Sequence, residues 1–278
     1  MSGAFAARPL NPWEYEEALA LAREAGVQGV YVANWLAAAA AARPGDAELL
    51  ALHGAEGLLG LCYFGGGGNL VVLEREPLAP AAVARAITKS LWGWRIVLAR
   101  VPIVAALAEC LASRPLVSRE QVWYGIVPAG VARSAVRTDV RRAEPADLPS
   151  LVEAALQLNH SDLHVDPRRV NRAWLETMLV ERIEGATTRV IGPPGQVLSK
   201  LDLGSSGEAG LVLEGVYTAP ESRGRGLATG LCATVAAHDG AGSPLVCLHV
   251  GAENRAARRA YENAGMRELG RCGLMLRG

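Results

Sequence analysis

Apolar and polar positions follow helical and strand periods along the chain, and the resulting order of elements occurs twice. Helical spacing predicts one helix ending at Ala25 and another ending at Leu158, and short continuous apolar runs predict buried strands. The first copy continues with a predicted helix over 29–42 and strands over 48–53, 57–64 and 69–73. The second copy continues with a predicted helix over 167–184 and strands over 187–191, 196–203 and 209–218.

The two copies begin with the same signal for the start of a helix. Pro12 is followed by Glu14, and Pro145 is followed by Asp147. Proline suits the first turn of a helix, and an acidic residue there is favoured by the helix dipole. The pattern therefore favours an internal repeat, with chance similarity of two α/β halves as the alternative.

The first copy is completed by a helix, a strand over Arg95–Ala99 and a helix over 102–112. Residues 128–136, which are rich in small residues, are predicted to link the copies. We expect an α/β (α+β) protein of two tandem domains, residues 1–130 and 137–278.

A glycine-containing loop in the second copy is the most informative local feature. Residues 210–219 predict a buried strand closed by Pro220, and residues 227–238 predict a helix. The segment Arg223-Gly-Arg-Gly-Leu-Ala228 lies between them. A loop at this position gathers backbone N–H groups and the positive end of a helix dipole, which is a site for a phosphate group.

Spacing separates three kinds of phosphate loop. No Lys-Ser/Thr pair follows the glycines, as a P-loop requires, and four residues separate the strand from the first glycine, unlike a dinucleotide fingerprint. The pattern Arg/Gln-x-x-Gly-x-Gly/Ala, a coenzyme A diphosphate loop, is satisfied by Arg223, Gly226 and Ala228. A plain strand–turn–helix connection remains the alternative for the hexapeptide alone.

A second motif follows at a fixed distance. After the strand 244–250 come Asn254, Ala257, Tyr261 and Glu262, and Gly265 closes the helix. With the loop and the preceding Val216-Tyr217, these residues resemble the GNAT superfamily of acyl-CoA N-acyltransferases over residues 137–278. The resemblance implies two GNAT-like domains, each with a mixed, mostly antiparallel sheet flanked by helices.

The resemblance implies direct transfer of an acetyl group from acetyl-CoA to a primary amine. It makes Tyr261 the proton donor to the leaving thiolate, with a core or surface tyrosine as the alternative. The tetrahedral oxyanion would be held by backbone N–H groups at 216–218, and Asn254 would contact pantetheine or cap its helix. The implied cofactor-binding residues are Val216, Tyr217, Thr218, Arg223, Gly224, Arg225, Gly226, Leu227, Ala228, Asn254 and Arg258.

Glu214 is the candidate general base. It lies among apolar residues in the strand 210–219, where a carboxylate is costly unless it meets water or a partner. Burial would raise its pKa towards a useful value. The alternatives are a salt-bridged glutamate across the sheet and proton acceptance by water.

The first copy lacks a phosphate loop at the matching place. Residues 74–80 contain Glu74, Glu76, Pro77 and Pro80, so that carboxylates repel phosphate and prolines remove N–H donors. Residues 65–68 are four glycines and predict a hairpin turn or a mobile loop between two strands. This half resembles an uncharacterised domain fused ahead of some bacterial GNAT domains, and we expect it to bind no cofactor.

Residues 159–166 form a polar cluster with two histidines and two aspartates. Their spacing matches no zinc or EF-hand pattern, and we predict no metal site. Acceptor contact, a plain loop and a metal site are the three interpretations, since this connection lines the acceptor side in GNAT enzymes.

Composition limits the class of protein. Among 278 residues, 50% are hydrophobic and 20% charged, with 28 basic and 28 acidic residues, which argues for a large core and against a nucleic-acid partner. No signal peptide or membrane span is predicted. The five cysteines lack metal spacing and favour a reduced, cytoplasmic setting. A non-catalytic acyl-CoA-binding module and a nicotinamide-dependent oxidoreductase are the alternative functions, and the amine and the oligomeric state stay open.

Overall fold

The computed structural model describes residues 5–40, 48–65, 68–112 and 114–278, with only the backbone described at 39 and 40. The chain divides into two compact units. The first unit comprises Met1–Trp123, Gly207–Ala209 and Leu269–Gly278, and the second comprises Tyr124–Ser206 and Gly210–Glu268.

The first unit alternates helices and strands in the predicted order. Its helices are α1 (Tyr15–Glu24), α2 (Val30–Ala40), α3 (Pro80–Lys89) and α4 (Val101–Glu109). Its first strands are β1 (Ala6–Pro9), β2 (Glu48–Gly54), β3 (Gly57–Phe64), β4 (Asn69–Glu74) and β5 (Ile96–Ala99). Strand β6 (Val117–Ile126) follows and continues into the second unit.

The sheet of the first unit is mixed and mostly antiparallel. Strands β1 to β4 pair antiparallel in sequence, with Leu61 opposite Leu73, and β4 pairs parallel with β5. One face packs on α3 and α4 through residues such as Ile87 and Ile103, and the other packs on α1 and α2 through residues such as Leu21. Both faces are therefore covered, which explains the nearly continuous apolar runs of these strands.

The second unit repeats this order. Its helices are α5 (Leu148–Leu163), α6 (Arg172–Glu184), α7 (Leu227–His238) and α8 (Arg255–Asn263). Its strands are β7 (Val140–Arg142), β8 (Thr188–Ile191), β9 (Ser199–Gly207), β10 (Gly210–Thr218) and β11 (Val246–Gly251). They lie in sequence order in the sheet, with β7, β8 and β9 antiparallel and β10 and β11 parallel.

The repeat extends to individual hydrogen bonds at the start of each unit. Arg8 donates two hydrogen bonds to Glu14, and Arg141 donates two to Asp147, at 2.6–2.8 Å. Each carboxylate also accepts the backbone N–H three residues before it, at 2.9 Å. The same ion pair therefore anchors the first helical turn to the first strand in both units, which supports the predicted duplication.

The last strand, β12 (Arg267–Leu276), differs from the prediction of a second domain that runs to residue 278. Its residues 273–276 pair antiparallel with β5, opposite Ala99 to Ile96, within the first unit. Leu274 and Met275 are buried there, so that apolar burial and backbone pairing assign this segment to the N-terminal sheet. The compact first unit thus contains Leu269–Gly278, which were predicted to belong to the second domain.

Three local predictions need correction or limits. The helix predicted over 167–184 begins only at Arg172, because the Asn171 side chain caps it by accepting a hydrogen bond from Trp174 N–H. Helix α5 continues past Leu158 to Leu163 and ends where His164 adopts a left-handed conformation, with φ of 54°. Residues 41–42 of the helix predicted over 29–42 and residues 66–67 of the glycine turn lie outside the described residues.

A carboxylate of the first unit lies where the second unit has its glycine loop. Glu74, at the end of β4, accepts two hydrogen bonds from Arg100 at 3.0 and 3.1 Å and one from the N–H of Leu78 at 2.8 Å. The Glu74 carboxylate therefore already pairs with the backbone N–H of Leu78 and with the Arg100 guanidinium at this position.

No helix within the described residues has the length and apolar character needed to cross a bilayer.

We expect Glu14→Gln to lower the free energy of unfolding at pH 7 by about 1–3 kcal/mol, because it leaves Arg8 and a backbone N–H without their anion. Arg8 holds the pKa of Glu14 down, from 4.5 in the unfolded chain to about 2. The stabilisation is therefore present above pH 4.5 and is lost as the pH falls through 2. Denaturant unfolding of both proteins across this pH range measures the difference.

Glu16→Gln is the control, since Glu16 is exposed in the same region. A difference between wild type and Glu14→Gln that stays constant down to pH 2 would contradict the role of the ion pair.

Candidate active site

A break in the regular pairing of β10 opens the site. Strands β10 and β11 pair at Leu211 with Val246 and at Val212 with Cys247, in the first half of each strand. Gly215 then adopts a φ of 56°, which a residue with a side chain rarely adopts. A Cβ at this position would also lie 2.8 Å from Asp202 and Lys200. The residues after Gly215 are thereby redirected towards the site.

Hydrogen bonds fix the end of β10. Ser199, fully buried on β9, donates to the carbonyl of Tyr217 at 2.8 Å and lies 3.0 Å from the hydroxyl of Thr218. The Arg223 guanidinium donates to the carbonyl of Thr218 at 3.2 Å, and the Tyr217 hydroxyl donates to Gln157 on α5. The strand end is therefore held by side chains from β9, from α5 and from the glycine loop.

The glycine loop leads directly into α7. After a short 3-10 turn over Pro220–Ser222, Gly224 and Gly226 have φ values of 74° and 71°. A Cβ at either position would have no atom within 4 Å. The first N–H groups of α7 have no partner within the helix, so the loop presents donors and a helix dipole to open space.

A cavity of about 760 Å³ lies in front of this loop, which is within the range usual for small-molecule sites. Its walls come from the end of β10, the glycine loop, α8 and the last turns of α5. The predicted site residues in the wall are Val216, Tyr217, Thr218, Arg223, Gly224, Gly226, Leu227, Ala228, Asn254 and Tyr261. The two motifs are therefore brought together around one space.

Three predicted site residues, Arg225, Arg258 and Glu214, are not part of this wall. Arg258 donates to the Tyr124 hydroxyl at 3.0 Å and to the carbonyl of Ala252 at 3.1 Å, and it pairs with Glu268 at 3.3 Å. These contacts anchor α8. The neighbouring Arg259 lies in the cavity wall instead, because consecutive helical residues point in directions about 100° apart.

Glu214 lies one residue before Gly215, and its side chain packs on Gly204. Its carboxylate is 3.6 Å from the guanidinium of Arg182. The nearby Asp202 pairs with Lys200 at 2.5 Å and accepts a hydrogen bond from Thr188 at 2.7 Å. Glu214 thus belongs to a network of charged side chains beside Gly215, where the strand changes direction. The sequence alone did not reveal this change of direction.

Burial alone would raise the pKa of Asp202, but Lys200, Arg182 and Thr188 hold it below its ordinary value. The carboxylate therefore stays charged in its buried position and continues to pair with Lys200.

Tyr261 is 5% exposed and contributes to the cavity wall. Burial raises its pKa above the ordinary value of 10, with Cys232 and Asp162 adding to the rise. Its ring lies 5.9 Å from that of Tyr124, whose hydroxyl donates to Glu262 at 2.7 Å. The Tyr261 phenol, with its raised pKa, therefore stays protonated at neutral pH.

Asn254 caps α8 by accepting a hydrogen bond from Ala257 N–H at 3.1 Å.

Helix α5 adds three residues to the wall, two of them from the polar cluster 159–166, for which acceptor contact was one interpretation. Leu158, Ser161 and Asp162 share one helical face and line the cavity. Within the polar cluster 159–166, His160 instead contacts the carbonyl of Val165, and Asp166 caps the turn at 167–169. No group of three or more potential metal ligands occurs in the part of the chain that the structure describes.

Comparison with known proteins finds a family match within the second unit. The sequence model of the Acetyltransferase (GNAT) family matches residues 190–266, which include the glycine loop, Asn254 and Tyr261. No curated protein sequence matches the chain. Residues 190–266 of the chain therefore match the GNAT acetyltransferase family, as the two motifs predicted.

Solved structures with the same fold span both units. A GNAT acetyltransferase from Colwellia psychrerythraea aligns with a TM-score of 0.57 at 13% identity over 98% of this chain and 99% of that chain. An N-acetyltransferase from Sphaerobacter thermophilus gives 0.56 at 18% over 99% and 96%. A tandem GNAT protein from the clavulanic acid biosynthesis pathway gives 0.50 at 14% over 98% of each chain. The predicted fold of two GNAT-like domains is confirmed.

We expect Gly226→Leu to weaken acetyl-CoA binding at least about tenfold, because its side chain occupies the space in front of the α7 N-terminus. Gly242→Leu is the matched control. Gly242 has a φ of 86° and equally open surroundings, and it lies outside the cavity wall. Calorimetric titration with acetyl-CoA measures both variants, and equal affinities would contradict the loop assignment.

Proposed function

We propose that the second unit transfers an acetyl group from acetyl-CoA to a primary amine, directly and within a ternary complex. The observation that carries this proposal is the shared cavity, which joins the glycine loop at the N-terminus of α7 to Tyr261 on α8. The loop would hold the diphosphate through backbone N–H groups, with Arg223 and Arg259 nearby. The thioester would then lie between the end of β10 and Tyr261.

The bonds and protons of the proposed reaction balance. The acceptor ammonium group loses one proton, and its nitrogen attacks the thioester carbon. Backbone N–H groups at 216–218 stabilise the oxyanion that forms. As the C–S bond breaks, Tyr261 gives its proton to the sulfur and recovers one from the nitrogen, which becomes the amide. The products are the acetylated amine, coenzyme A and one proton.

The cysteines of this unit do not suit a covalent intermediate. Cys232 and Cys247 are both buried, and burial raises the pKa of each thiol to about 12. A thiol is nucleophilic in its thiolate form, and at neutral pH thiols with so high a pKa are almost entirely protonated. Neither residue belongs to the cavity wall. Direct transfer needs no enzyme nucleophile and is consistent with this arrangement.

We propose a cytoplasmic location, where acetyl-CoA is available and cysteines stay reduced. The free cysteines of the described residues, four of them buried, agree with this setting. The first unit would act as a structural partner without a cofactor, since Glu74 and Arg100 neutralise each other at its matching position.

We expect Tyr261→Phe to reduce kcat by about 10²-fold, because the leaving thiolate loses its proton donor. The affinity for acetyl-CoA should change little, since the ring remains. Release of thiol from acetyl-CoA in the presence of an amine panel measures turnover, and calorimetry measures affinity.

Unchanged turnover would remove Tyr261 from the mechanism. Tight acetyl-CoA binding by wild type with no turnover of any amine would instead favour a non-catalytic acyl-CoA-binding module.

Glu214 remains our candidate for the base, acting through a bridging water because it is not part of the cavity wall. On this proposal, Glu214→Gln reduces kcat/KM by about 10²-fold at pH 7 and leaves acetyl-CoA affinity intact. The same thiol-release assay measures the effect. Full activity of the variant would restrict Glu214 to its ion pair with Arg182.

A further inference from the structure

Two opposite charges are buried beside the change in strand direction at Gly215. Lys200 and Asp202, both on β9, are 3% and 5% exposed, and the ammonium nitrogen lies 2.5 Å from a carboxylate oxygen. Both residues lie outside the cavity wall. Removing two charges from water is costly, and apolar side chains of similar volume often stabilise a core equally well. Stability alone therefore does not account for this pair.

The position of the pair is fixed by directional contacts. The Asp202 carboxylate accepts a hydrogen bond from the Thr188 hydroxyl on β8 at 2.7 Å, and it lies 3.6 Å from the guanidinium of Arg182 on α6. Any movement of the carboxylate away from these groups and from Lys200 would leave a charge unpaired in the interior. The pair therefore presents a fixed surface to β10.

Gly215 packs directly against this surface. A Cβ atom at position 215 would lie 2.8 Å from Oδ2 of Asp202 and 2.8 Å from Nζ of Lys200, closer than such atoms normally approach. The φ of 56° is likewise one that residues other than glycine rarely adopt. The ion pair thus contacts the backbone at the point where β10 changes direction.

The residues after Gly215 carry the N–H groups that would hold the oxyanion. Val216 follows Gly215 directly, and residues 216–218 line the cavity. Because each peptide unit is planar, the direction of the Val216 N–H is set by the backbone torsions of Gly215. A displacement of about 1 Å in a reacting geometry can reduce the rate about 10²-fold. The conformation of Gly215 therefore decides where these donors point.

The glycine loop is held by separate contacts. Ser199 donates to the carbonyl of Tyr217 at 2.8 Å, and the N–H of Ala219 donates to the carbonyl of Leu198 at 2.9 Å. These bonds lie between the change in strand direction and the glycine loop, and they tie the strand end to β9 and the residue before it. The oxyanion donors and the diphosphate site can therefore be perturbed independently of each other.

We propose that Lys200 and Asp202 form a positioning pair for acetyl transfer: through Gly215, they orient the backbone N–H groups at 216–218 towards the thioester oxygen. Neither side chain touches the substrate in this role. The inference rests on the proposed function and adds two residues that act on the reaction from outside the cavity wall. Loss of the pair should lower kcat and leave the affinity for acetyl-CoA nearly unchanged, because the diphosphate contacts remain.

The test replaces both charges at once, Lys200→Met with Asp202→Leu, so that neither is left unpaired. Isotope-edited infrared spectroscopy of acetyl-CoA labelled at the carbonyl carbon reports hydrogen bonds to the thioester oxygen. We expect a lower carbonyl stretching frequency in the wild-type complex than in the variant complex, since well-aligned donors polarise the C=O bond. In the thiol-release assay, kcat should fall at least about tenfold. Calorimetric affinity should stay within about twofold of wild type.

Arg189→Met with Asp239→Leu is the matched control, because it removes another ion pair with a buried arginine from the same unit. Arg189 lies on β8, and Asp239 follows the C-terminal end of α7, away from the glycine loop. Carbonyl frequency, kcat and affinity of this variant should equal those of wild type, even where its melting temperature is lower.

Thr188→Val is a second variant, which keeps both charges and removes the hydroxyl that holds Asp202. It should shift the carbonyl frequency part of the way towards that of the double variant. If the double variant does not fold, as judged by its melting curve, Thr188→Val decides the question.

The outcomes are distinct. Failure of wild type to bind acetyl-CoA would refute the proposed function itself. Acetyl-CoA binding with one carbonyl frequency in wild type and in the folded variants would overturn the positioning role alone. That role would equally be overturned by an unchanged kcat in the double variant, by an affinity that falls as much as kcat, or by a control that behaves like the double variant. The infrared measurement needs no acceptor, so it decides before the amine is known.

Discussion

The site depends on one backbone constraint, the left-handed conformation of Gly215. Regular β-pairing would bring β10 and β11 together along their whole length, and no small molecule could then reach the carbonyl edge between them. The positive φ turns the end of β10 away after two paired residues, and the buried ion pair of Lys200 and Asp202 packs against the glycine. Tyr217 and the glycine loop are placed by this change of direction.

The two units share one architecture and differ at one place in it. Both retain the pairing of an arginine with a helix-starting carboxylate, which ties the first helical turn to the first strand. They differ at the end of the fourth strand of each copy. The loop of the second unit faces open space, where we propose that a diphosphate binds, whereas the first unit pairs a backbone N–H at this place with Glu74 and that carboxylate with Arg100. A side-chain anion thus occupies the matching position of the first unit.

Sequence patterns predicted most of the fold, because apolar runs and helix-start signals are local. The family resemblance pointed to the glycine loop, Asn254 and Tyr261, which line one cavity in the structure, while their roles in binding and catalysis stay predictions. Prediction of the site was weaker where a side-chain position depends on a local backbone conformation, because the spacing of apolar residues does not indicate such a conformation. Glu214 was expected in the cleft, but the change in direction at Gly215 leaves it beside Arg182. Asp162 belongs to the cluster 159–166, for which acceptor contact was one interpretation, and the pattern did not show that α5 continues to Leu163 and brings this residue into the cavity wall.

Strand β12 has a consequence for the order in which the molecule is made. The first unit obtains a strand partner for β5 from residues 273–276, and Leu274 and Met275 are buried there. During synthesis this edge of β5 must therefore stay unpaired until the carboxyl-terminal half has emerged. The half that is translated first completes its sheet last, and separation of the two halves at residues 128–136 would leave the earlier one permanently unfinished.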